Sequence, residues 1–104
     1  MDKITKIEQN IVAVLKTVFD PEIPVNVYDL GLIYKIEVGN NFDVEIDMTL
    51  TAPNCPMVDQ IIEEVRVAVK SVESVRGVSI NIVFDPPWSR DMLSDEAKLD
   101  LGLL

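Results

Sequence analysis

Histidine is absent from the 104-residue chain, which removes Ser-His-Asp and Cys-His catalysis and every zinc site that needs imidazole. Cysteine is almost absent. Cys55 alone cannot close an internal disulfide, nor can one thiol per chain complete a four-thiolate metal site. Basic residues are scarce: nine Lys and Arg stand against 18 Asp and Glu, a formal charge of -9. Such a surface repels phosphate backbones, so nucleic acid is not an expected partner. Long apolar runs are lacking too, and the longest early one, Ile11 to Leu15, is too short for an export core or a membrane span. The expectation is a cytoplasmic protein with no membrane partner.

What is present suffices for one core. Apolar residues make up 48% of the chain, and a chain of this length buries roughly 65% of its unfolded surface without staples. One domain over 1–104 is expected, with 85–104 as a tail ending in a short helix. Ile4, Ile7, Ile11, Val14, Leu15 and Val18 recur at helical spacing. The helix starts after Asp2, or at Thr5 with Glu8 closing a capping box, and stops near Asp20 because Pro21 follows. Leu32 to Val38 and Phe42 to Leu50 alternate around Gly39-Asn40-Asn41, a hairpin with one buried apolar face and an acidic, wet face from whose pattern Ile33 departs. Val58 to Val72 returns to helical spacing, and Val78, Ile80, Ile82 and Phe84 form a third strand closed by Asp85-Pro86-Pro87. In the tail, Ser94 caps a last turn or two before Gly102. The order αββαβ implies an α/β (α+β) two-layer sandwich, a three-stranded mixed sheet with helices on one face.

Two segments carry candidate chemistry. Pro56 suits the first position of the second helix, which sets Cys55 at or beside its N-cap. Unpaired amides there lower a thiol's pKa and make it a better nucleophile or metal ligand. A small buried packing residue is the competing reading. In Asp20-Pro21-Glu22-Ile23-Pro24 the prolines hold the backbone extended, so Asp20 and Glu22 can face one side. The competing reading is a polar turn. If the two loops meet, a thiolate and two carboxylates offer a metal site of Cys55, Asp20 and Glu22, because a bound cation favours the ionised form of all three. Tyr28 and Asp29 could orient a neighbour, Gly31 could allow close backbone approach, and Thr51 and Asn54 flank the thiol. Trp88 and Arg90 either cover the site, present a partner surface, or belong to a tail folded back on the core.

The blocks Asp20-Pro21-Glu22-Ile23-Pro24, Tyr28-Asp29-Leu30-Gly31-Leu32-Ile33-Tyr34, Met48-Thr49-Leu50-Thr51, Pro53-Asn54-Cys55-Pro56-Met57 and Asp85-Pro86-Pro87-Trp88 occur in order over nearly the whole chain. Together they resemble the SufT-like family, which takes in PaaD-like proteins, MIP-type iron–sulfur assembly factors and the leading domain of some Mrp-type carrier ATPases. The tail Met92-Leu93-Ser94-Asp95-Glu96-Ala97 is similar to the family's C-terminal pattern. The resemblance implies a fold like the C-terminal cluster-assembly domains of NifU type. It also implies a non-enzymatic role in maturing or carrying iron–sulfur clusters, with Cys55 as the functional thiol beside Asp20 and Glu22.

The implied cofactor is a transient iron–sulfur cluster or iron. The implied partners are a scaffold or carrier and client apoproteins, and a homodimer could supply a second Cys55. Two departures narrow this: no Gly-Lys-Ser/Thr phosphate loop is present, and no second cysteine of the kind PaaD-like tails carry. An accessory protein maturing an aromatic-ring oxygenase is the second class, and an adaptor that holds no metal is a variant of the first. A thiol redox enzyme lacks a resolving cysteine and a base, and an RNA-binding domain of KH type lacks its Gly-x-x-Gly loop.

Overall fold

The computed structural model describes residues 2–20, 23–51 and 58–102. Helix α1 (Lys3–Leu15) begins because Asp2 sits in extended geometry and its carboxylate accepts from the Thr5 amide at 2.8 Å; Thr5 is therefore inside the helix, not its cap. The bond holds the Asp2 carboxyl below its ordinary pKa. The cap's contribution is complete above the ordinary aspartate value and is lost as pH falls through the lower native one. In an NMR titration the Thr5 amide shift should follow Asp2 with a midpoint below that of a free aspartate. A midpoint at or above that value would contradict the cap.

Helix α1 ends at Leu15, earlier than the proline argument predicts. Thr17 and Val18 bond back three residues to Val14 and Leu15, and Phe19 then bridges antiparallel to Asn26. Val18 still reaches the core, which is why it continues the helical pattern in the sequence. Asp20 thus lies beyond a tight return, five residues past the last helical one and clear of the negative end of the helix dipole.

Strands β1 (Ile33–Val38) and β2 (Asp43–Met48) pair antiparallel. Phe42, counted as the first strand residue in the sequence pattern, instead occupies the turn at φ 66° and donates to the Gly39 carbonyl. The register shifts between Ile33 and Lys35. This bulge accounts for the break in alternation: Ile33 pairs with Met48 and packs on the core, while the extra residue lets Tyr34 reach away to Pro86.

Helix α2 (Val58–Lys70) crosses over to β3 (Gly77–Ile82), which pairs parallel to β2, giving sheet order β1-β2-β3. Helix α1 packs over β1, α2 over β3, and the helices lie against each other. Ile11, Leu15, Val44, Ile46, Met48, Ile61, Val65 and Val69 fill the layer between. β3 stops two residues before Phe84, which is 54% exposed: Val83 donates the last bond, to the Met48 carbonyl, before the prolines. A 3₁₀ turn at Arg90–Met92 and helix α3 (Asp95–Asp100) follow, the latter capped by Ser94 Oγ accepting from Ala97 at 3.1 Å.

Candidate functional site

The return after α1 is built by backbone bonds from Asp20 to Val25 and from Val27 to Val18, which close the loop on itself. Asp20 is buried, and its Oδ1 accepts from the Ile23 amide at 3.1 Å, fixing the carboxylate against the turn. Further along, Asn26 and Asp29 lock together: Asn26 Nδ2 donates to Asp29 Oδ2, and the Asp29 amide donates to Asn26 Oδ1, both at 2.8 Å. Asp29 therefore orients its own loop. Tyr28, at the rim of exposure, holds the Lys16 ammonium 5.5 Å from its ring centre.

The tail is bound onto this loop and β1. Trp88 Nε1 donates to the Leu30 carbonyl at 2.6 Å, Tyr34 Oη to the Pro86 carbonyl at 2.7 Å, and the Ser94 amide to the Asp29 carbonyl at 2.8 Å. Gly31 lies between them at φ +79°, where a Cβ would come within 2.3 Å of the Met92 carbonyl oxygen. The close approach expected at Gly31 is thus to the chain's own tail, and Trp88 belongs to a tail folded back on the core. Replacing Trp88 by Phe keeps the ring but removes the donor, so thermal melting should show a loss of about 1 kcal/mol. An unchanged melting curve would mean that this bond adds nothing.

Trp88 lines two cavities. One, of about 280 Å³, is shared with Ile23, Arg90, Leu93 and Leu101, and the other, of about 380 Å³, with Thr49, Leu50, Thr51, Phe84 and Pro87. The tail indole therefore connects the Asp20 turn, through Ile23, to the end of the β2 segment at Thr51. The Cys55 N-cap placement, Asn54 and Glu22 lie outside the described residues. Among the described residues no group of three or more carboxylates or thiols could hold a metal, and no helix is long and apolar enough to cross a membrane.

Thr49 is the residue that sequence reasoning passed over. Alternation with Met48 and Leu50 puts it on the polar side of β2, yet it is fully buried, and its hydroxyl has no hydrogen-bond partner among the described residues. The block Met48-Thr49-Leu50-Thr51 contains it, but alternation gives no sign of its burial, which is seen only once the fold is formed.

A mixed three-stranded sheet with both long helices on one face and a tail strapped over the connecting loop defines a small α+β domain. The same architecture occurs in a domain-of-unknown-function protein (DUF59) from Bacillus anthracis, with a TM-score of 0.90 at 36% identity over 96% of this chain and 95% of that one. A family model described as "Iron-sulfur cluster assembly protein" matches residues 8–82. An "Fe-S protein maturation auxiliary factor" of Porphyromonas gingivalis is 60% identical over 93% of this chain and 92% of its own length. The auxiliary factor SufT of Staphylococcus aureus is 41% identical over 83% of this chain and 98% of its own. The chain belongs to the iron–sulfur cluster assembly protein family.

Proposed function

We propose that this protein is an iron–sulfur maturation factor that takes iron or a cluster as cargo at Cys55, with Asp20 and Glu22 beside it, and passes it to client apoproteins. The observation that carries this reading is the family match over residues 8–82, the stretch that includes all three side chains. A soft thiolate with hard carboxylates suits iron in transit, because the mixed set holds the ion without completing its preferred sulfur shell. One chain supplies one thiol, so a cluster needs further sulfur ligands from a second copy, a scaffold or the client.

The chain's own part is to hold and to release. The Ile23 amide keeps the Asp20 carboxylate fixed against its turn, and the Trp88 strap joins that turn to Thr51. The role is that of a carrier: iron–thiolate bonds form on loading and are exchanged for the client's own ligands on release, and the protein belongs in the cytoplasm with the apoproteins it serves. The test is anaerobic reconstitution with iron and sulfide, followed by desalting and measurement of retained iron and visible absorbance. The native protein should retain iron. Asp20→Asn combined with Glu22→Gln should retain less than half of the native amount, with the same circular dichroism. Native protein that retains no iron, alone or with a client apoprotein, would sink the carrier reading.

A further inference from the structure

Five large apolar side chains are conspicuously exposed among the described residues, and two of them, Phe19 at 53% and Val67 at 59%, line one groove of about 550 Å³ between the end of α1 and the outer side of α2. Ala68 also lines it, and Glu63 and Glu64 complete its rim. On α2 the spacing places Glu63 one turn from Val67 and Glu64 one turn from Ala68. The groove thus offers an apolar floor with an acidic step one helical turn away. Arg66 holds Glu63 at 2.6 Å, but the partner of Glu64 is the neutral amide of Gln60 at 3.5 Å, so the rim stays net negative.

We propose that this groove docks an amphipathic helix of another protein, whose apolar residues cover Phe19, Val67 and Ala68 and whose Lys or Arg, one turn away, meets Glu63 and Glu64. Charge selects that occupant. A second copy of this chain would bring the same acidic rim against itself on a molecule of formal charge -9. Spacing agrees, because Val67 and Ala68 lie one helical turn from Glu63 and Glu64, the separation at which an amphipathic helix sets an apolar residue from a cation. The docked segment would lie next to the Asp20 turn, since Phe19 is the residue before Asp20. The proposal extends the carrier reading by naming how a partner is held, but its test reads binding and not metal, so either can fail alone.

The probe is a fluorescein-labelled, alanine-based helical peptide of about 18 residues, with two Leu at i and i+4 and Lys one turn further. A control peptide has Glu in place of each Lys. By fluorescence anisotropy the Lys peptide should bind the native protein at least about tenfold more tightly than the Glu peptide, and Val67→Gln should weaken it about tenfold. Val67 is exposed on the helix surface, so this variant should fold and retain iron as the native protein does. Glu64→Lys should abolish the preference for the Lys peptide. Amide shifts in NMR should centre on Phe19 and on α2 from Glu63 to Ala68. Equal binding of the two peptides, binding of neither, or shifts centred elsewhere would overturn the proposal. So would a native dimer in sedimentation that Val67→Gln dissociates, which would assign the groove to a second copy.

Discussion

Gly31→Ala should lower the melting temperature by on the order of 15 °C and detach the tail. The left-handed backbone costs an alanine about 1–2 kcal/mol, and the new methyl would face the Met92 carbonyl oxygen at 2.3 Å. The obstacle is backbone, which no rotamer change relieves, so overpacking adds about 1–3 kcal/mol. A total near 3 kcal/mol corresponds to that shift for a domain of this size. Trp88 is the chain's one tryptophan, and its fluorescence should redden in the variant under native conditions as the indole leaves Leu30. Gly102→Ala is the control. It has a similar φ of +74° but nothing within 4 Å of the added carbon, so it should cost only about 1 kcal/mol and leave the emission unchanged. Equal melting of the Gly31 variant and the native protein would show that the strap tolerates displacement.

Cys55→Ser should remove nearly all iron retained after reconstitution, together with the visible sulfur-to-iron absorbance. Serine keeps the size and loses the soft, readily ionised donor that iron–sulfur chemistry needs. The carboxylate variants should be weaker in effect, because hard oxygen ligands are replaceable by water while the thiolate is not. Retained iron should also rise with the fraction of protein in complexes that bring in further thiols, which light scattering measured alongside iron content would register. Binding to a client apoprotein separates two versions of the reading. A pure adaptor binds the client equally well with serine at this position and never retains iron. A serine variant that holds as much iron as the native protein would remove Cys55 from the site.

The architecture was legible in the sequence wherever one face of an element is buried and the other wet. The spacing of Ile7, Ile11 and Leu15 marks α1, and Val44, Ile46 and Met48 mark the central strand, all now buried. Element ends were less legible, because they depend on local bonds that periodicity does not record. Val18 prolonged the helical pattern although α1 had ended, and Phe42 prolonged the strand pattern although it sits in the turn. Ile33 was readable as an anomaly, and only the bulge gave it a cause. Of the candidate site, the close approach at Gly31 agrees with the expectation from glycine chemistry, whereas the burial of Asp20 had no signal in the sequence. The use of Asp29, Gly31 and Trp88 to fasten the tail was not readable, since it joins residues more than fifty positions apart. Thr49 is the extreme case: its polarity pointed outward and its burial is created by the fold alone.

The strap also separates the sheet from its latch along the chain. All three strands precede residue 83, whereas the donor that covers the Leu30 carbonyl lies at Trp88. A released chain cut after Asp85 would keep every strand of the sheet and leave that carbonyl to water, a sandwich with an unlatched flank.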